Sequence, residues 1–265
     1  MKQKTIKPQN PTVPMKINTR SHSCLSSIAL ATALLGTVST THAVSITVPN
    51  YSFETSVVPA NPGYLSTGDA TINLNSVTVA NWIPVYTEHA YLVRQSFFSM
   101  SGVTGDQYMY LQPGYDGNPQ FYQNIGSQYQ VGTYTLSVDI GYSSSGGQNA
   151  GQNADAYFQL WSHDGAVYTP LGTKAVVSST TLAAHNGSFV TYSLTLDALA
   201  DSAWRGKDIV IRIDGYSPTA PGTVLQNVSY DNVRLDFTPI PEPSSVTMLL
   251  GGIGALTLLR RRRSA

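Results

Sequence analysis

The chain has 265 residues, equal numbers of basic and acidic side chains (15 each) and one cysteine. The formal charge of zero hides a segregation: five basic residues lie in the first 20 positions and four in 260–263, so residues 44–243 carry six basic against 15 acidic residues, about −9. Such acidity excludes nucleic acid and anionic lipid as favoured ligands. It also matters that the only thiol, Cys24, lies in the leader, which excludes cysteine nucleophiles and thiolate-bound metals from the exported part.

In chain order, residues 1–43 predict a secretory signal peptide. Basic residues up to Arg20 precede an apolar stretch over 25–38, and Thr41-His42-Ala43 forms a small-residue cleavage site ahead of Val44. The basic region is long for a signal, so Met15 is the expected true start.

Residues 44–237 predict an all-β domain. Low charge, abundant Ser, Thr, Tyr, Gly and Asn, and short alternating runs are the pattern of an antiparallel β-sandwich or jelly roll. Tyr134, Leu136, Val138 and Ile140 share one face; Leu194 and Leu196, Ile209, Ile211 and Ile213, and Val233, Leu235 and Phe237 repeat the pattern. Ala156, Phe158 and Leu160 share a face, and Tyr157 and Trp161 share the opposite one. Weaker strands are expected near Ile46, over 71–79, over 107–111 and over 121–125. Asp164-Gly165, Asn186-Gly187 and Asp214-Gly215 read as turns between strands. A proline-rich linker follows over 238–243.

The tail, 240–265, holds Pro241-Glu242-Pro243, an apolar run over 246–259 and the block Arg260, Arg261, Arg262 and Arg263. As a helix the run is roughly 21 Å long at about 1.5 Å per residue, short of a hydrocarbon core of about 30 Å. It suits transient membrane anchoring, with the arginines on the cytoplasmic side.

These three features in this order at the C-terminus resemble the PEP-CTERM sorting signal of Gram-negative bacteria. The resemblance implies recognition by an exosortase-type membrane protease, cleavage near Pro-Glu-Pro, and delivery from the inner membrane to the cell surface or an exopolysaccharide matrix. Asn50-Tyr51-Ser52-Phe53-Glu54, Trp82, the segment 132–138 and Tyr230-Asp231-Asn232-Val233-Arg234-Leu235 resemble galactose-binding-like jelly rolls. That resemblance implies carbohydrate binding and, at Glu54 and Asp231, a structural calcium ion joining the chain ends. Calcium takes about six to eight oxygens, so Asn50 or backbone carbonyls would have to complete the shell. The other reading is that Glu54 and Asp231 hydrogen-bond neighbouring loop backbone.

Sugar rings stack on exposed aromatic faces, which makes Tyr115, Tyr122, Tyr157 and Trp161 the candidate ligand-binding residues. The competing reading packs them inside the sandwich, as is expected of Trp82. His89, His163 and His185 have no metal-binding spacing, and no nucleophile elbow is present. The expected role is therefore a noncatalytic surface or matrix component that contacts exopolysaccharide. The alternative is a secreted polysaccharide hydrolase with two carboxylates that meet in space.

Overall fold

The computed structural model describes residues 42–55, 64–66, 79–86, 90–113, 118–143, 154–217, 227–240, 252–253 and 260. By contact the chain divides into Met1–Thr40 and Thr41–Ala265, and the described residues all belong to the second unit.

That unit is a two-sheet antiparallel sandwich. Its strands are β1 (Val44–Ile46), β2 (Tyr64–Ser66), β3 (Ile83–Tyr86), β4 (Ala90–Arg94), β5 (Gln107–Leu111), β6 (Gln120–Gln128), β7 (Gly132–Tyr142), β8 (Asp155–His163), β9 (Tyr168–Pro170), β10 (Ala175–Val177), β11 (Ser188–Ala198), β12 (Asp208–Tyr216) and β13 (Val228–Pro239). Two short helices, α1 (Gln95–Phe98) and α2 (Ser179–Ala183), interrupt them. The first sheet runs β11-β7-β13-β5-β4-β2, with β1 on β13. The second runs β10-β8-β12-β6-β3, with β9 on β8.

Alternation places the core between the sheets. Leu136, Val138 and Ile140 of β7 and Val233 and Leu235 of β13 face Phe158 and Leu160 of β8 and Ile209, Ile211 and Ile213 of β12, all within about 1% of full burial. Trp82 joins this core, 2% exposed, with its ring centroid 5.3 Å from that of Phe53.

The Tyr230 hydroxyl bolts the sheets together. It reaches from β13 to donate to the Asp214 carbonyl at 2.7 Å and accepts the Tyr157 N–H at 3.0 Å. Full burial drives its phenol far above the usual tyrosine range.

Two sequence expectations need correction. Asp214-Gly215 is not a turn but lies inside β12. Glycine is needed there for packing, because a Cβ would sit 3.1 Å from Val228 Cγ1 and 3.2 Å from the Pro113 ring. Strands β2, β3, β4, β9 and β10 form where the sequence predicts none. The strand expected over 71–79 lies outside the described residues except for Val79, which is buried. Asp164-Gly165 does form a turn: the Asp164 carboxylate accepts from the Ala166 and Val167 N–H groups at 3.2 and 3.0 Å, joining β8 to β9.

Candidate functional site

Three of the four candidate aromatic residues share the outer face of the second sheet, and two of them, Tyr122 and Trp161, meet. Along β8 the core takes Ala156, Phe158 and Leu160, so Tyr157, Gln159 and Trp161 point to the outer face of the second sheet. The same alternation on β12 sends Arg212, Asp214 and Tyr216 outward, and on β6 it sends Tyr122 outward. The pairings Arg212 with Gln159 and Arg212 with Tyr122 then set these side chains in one row across three strands.

At one end, Tyr122 and Trp161 meet edge to face with centroids 5.3 Å apart, and Tyr168 of β9 adds a third ring 5.6 Å from Tyr122. His163 stacks on Tyr168 at 4.3 Å. The Arg212 guanidinium lies over both partners, 5.5 Å from the Tyr122 ring and 5.1 Å from that of Trp161. It is held by Asp214 at 2.7 Å. The Trp161 indole N–H donates to Gln159 Oε1 at 3.1 Å, and the Gln159 amide donates to the Gly172 carbonyl at 3.0 Å, which fixes the ring.

At the other end Tyr157 stacks on Tyr216 at 5.4 Å, with the Lys174 ammonium 3.6 Å over the Tyr157 ring. Tyr157 itself is 9% exposed, so the ring offered to solvent there is Tyr216, at 40%. Tyr168 is exposed to a similar degree at the opposite end. Burial pushes the Asp214 carboxyl upward, against the cations Arg212 and Lys174. Tyr115, the fourth candidate, lies outside the described residues.

The carboxylates Glu54 and Asp231 meet the same loop, between α1 and β5. Glu54 Oε1 accepts the Asp106 and Gln107 N–H groups at 2.9 and 2.7 Å, while Asp231 Oδ2 accepts the Thr104 N–H at 2.6 Å. Gly105 has φ +87°, and a Cβ there would fall 2.6 Å from Glu54 Oε1, so the loop geometry requires glycine. Both carboxylates thus make the loop hydrogen bonds of the second sequence reading. The Asn50 amide is also engaged, accepting the Thr55 N–H at 2.9 Å and donating to the Ala80 carbonyl at 2.9 Å.

Burial raises the Asp231 carboxyl to about 8, with Asp139 and Glu54 adding to the rise. Asp139 is paired with Arg234 at 3.0 Å. Among the described residues no group of three or more His, Cys, Asp or Glu is placed to hold a metal ion.

The family model described as HpiC1 cyclase, HpiC1-like, matches residues 44–236, from the start of β1 into β13. The chain belongs to the HpiC1-like family.

The HpiC1-like assignment replaces the expected galactose-binding-like one within the same two-sheet architecture. The model of the PEP-CTERM protein-sorting motif matches residues 239–263, so the HpiC1-like domain is exported and its tail is a substrate for exosortase sorting to the surface.

Solved structures agree on the fold. A cyclase from Fischerella sp. TAU is 23% identical with a TM-score of 0.53, over 75% of this chain and 98% of that one. The Stig cyclase Fisc from Fischerella sp. TAU, in complex with (3Z)-3-(1-methyl-2-pyrrolidinylidene)-3H-indole, is 22% identical with a TM-score of 0.52, over 75% and 99%. A Fischerella sp. TAU cyclase in complex with 4-(1H-indol-3-yl)butan-2-one is 23% identical with a TM-score of 0.52, over 74% and 98%. No curated protein matches the chain.

Of the sorting residues, Arg260 is helical and exposed, as are the helical positions Gly252 and Ile253 in part. Pro241, Glu242, Pro243, Arg261, Arg262 and Arg263 lie outside the described residues. Among the described residues no helix is long and apolar enough to cross a membrane. Ala43 and Val44, which flank the expected signal cleavage, are both exposed, and β1 begins at Val44.

Proposed function

We propose that this protein is a noncatalytic surface or matrix component whose HpiC1-like domain binds saccharide rings of an exopolysaccharide on the outer face of its second sheet. The carrying observation is the convergence of Tyr122, Trp161 and Tyr168 around Arg212 on the outer face of the second sheet, where Tyr122 and Trp161 are half-buried and Tyr168 is exposed. In this reading the C-terminal segment holds the precursor briefly in the inner membrane, facing the periplasm, until exosortase releases it to the surface or matrix. A glycan array probed with wild type and with Trp161→Ala tests the assignment: the wild type retains specific glycans and the variant loses them.

A structural calcium ion at Glu54 and Asp231 belongs to the same proposal. Support comes from the nearness of Asp139 and Glu54 to Asp231: both carboxylates add to the rise that burial gives its carboxyl, and a divalent cation would offset their charge. Glu54 and Asp231 would supply only part of the six to eight oxygens, the remainder coming from main chain and water.

A second reading is retained cyclase chemistry, favoured by the match of the HpiC1 cyclase model across the domain. Titration with 4-(1H-indol-3-yl)butan-2-one tests it. Saturable binding with no response to any glycan would replace the first reading with this one.

A further inference from the structure

We infer that the aromatic face takes an extended, uncharged glycan chain laid along β8, and neither a single sugar nor a polyanion. This rests on the saccharide-binding reading above and adds the length, direction and charge of the ligand.

Length follows from the spacing of the rings. Tyr168 lies at the level of His163 and Tyr216 at the level of Asp155, since these residues are directly paired. Eight residues of strand separate the two levels, about 26 Å at roughly 3.3 Å per residue. Tyr168 and Tyr216 are also the two most exposed rings of the face, at 41% and 40%. Between them Trp161 and Tyr157 are four residues apart on the same strand, about 13 Å. No single pyranose reaches from one aromatic group to the other. The row of rings follows the strand axis.

Charge follows from how the ionic groups are already used. Arg212 is neutralised by Asp214 at 2.7 Å. Asp155 Oδ1 accepts the Ser179 N–H at 2.7 Å, and Asp208 Oδ2 accepts from Asn124 Nδ2 at 3.1 Å. Lys174 is drawn onto the Tyr157 ring. Three carboxylates against two permanent cations, within residues 44–243 of about −9, repel a polyuronate, whereas neutral rings meet aromatic faces.

The test is calorimetric titration of the protein with neutral glucan, mannan and galactan oligomers of one to six units and with a polyuronate hexamer. Circular dichroism confirms that each variant is folded. In at least one neutral series the expected affinity rises tenfold or more between two and five units. Tyr216→Ala lowers hexamer affinity at least fivefold while leaving dimer affinity within twofold, and Trp161→Ala abolishes both. The polyuronate binds at least tenfold more weakly than the neutral hexamer. Length-independent binding, indifference to Tyr216→Ala, or preference for polyuronate would overturn this inference while leaving the site assignment intact. Absence of binding to all series, or binding insensitive to Trp161→Ala, would overturn both.

Discussion

Tyr122 and Trp161 sit on strands that are not neighbours, yet their rings meet with centroids 5.3 Å apart at 82°, bridging β12. Arg212 of the intervening strand lies within cation–π range of both and is pinned by a largely buried Asp214. Removing one member of such a pair strands the other. Arg212→Leu is therefore expected to cost about 3 kcal/mol at neutral pH. The loss should shrink as pH falls and the Asp214 carboxyl takes up a proton, and the double variant Arg212→Leu/Asp214→Asn should recover most of it. Urea denaturation at two pH values checks this.

Tyr230 supports that face from beneath. Tyr230→Phe leaves the buried Tyr157 N–H and Asp214 carbonyl without the hydroxyl that now joins them. The expected loss is about 1–3 kcal/mol in global stability, read as a lower denaturation midpoint with unchanged m-value.

Asp231 predicts the pH and cation dependence. Its folded value of about 8 lies above the ordinary aspartate value of about 3.9. Between those values the unfolded chain is ionised while the folded chain keeps its proton, so stability is lost as pH rises from about 4 to about 8. In the presence of chelator the melting temperature should decline over that window, and Asp231→Asn should flatten the decline. Calcium should raise the melting temperature most at the alkaline end, where the carboxylate is free to bind it. An unchanged melting temperature on adding calcium at pH 8 counts against the ion.

The tail makes a separate prediction. Replacing Pro241-Glu242-Pro243 by alanines, or removing Arg260 to Arg263, should leave the protein in the inner-membrane fraction with an intact C-terminus. Wild type should yield a shorter surface form by mass spectrometry. Equal release of all three forms would contradict exosortase sorting.

Much of this was legible in the sequence where burial is one-sided. Strands β7, β8, β12 and β13 have one face in the core and one toward solvent or a polar layer, so alternation named their inward residues and put Tyr157 and Trp161 together. Strand β5 carries a weaker pattern because both its faces are covered. Met109 enters the main core, while Tyr108 and Tyr110 are buried on the other side under Phe98 and Met100. Strands β9 and β10 have three residues each, too few for a period to register.

Arg212 was the readable clue that was missed: a lone arginine alternating with three isoleucines must leave the core, and its neighbours on that face are the aromatic candidates. Tyr168 and Tyr216 carry no such signal, since pairing brings them to the site from short or terminal strand positions, and Lys174 lies just ahead of β10. The glycine of Asp214-Gly215 misled because close packing against Val228 and Pro113, rather than a turn, demands it there.

The central claim is tested most directly by the three tryptophan indole N–H signals in a proton–nitrogen NMR spectrum of the domain titrated with a glycan that it retains on an array. Trp161 is on the aromatic face, whereas Trp82 is buried in the core with its indole N–H donated to the Asn50 carbonyl, and Trp204 packs on Tyr129. The account predicts that the Trp161 signal moves with saturation while those of Trp82 and Trp204 stay in place. Movement of Trp82 or Trp204 with Trp161 unchanged would contradict it.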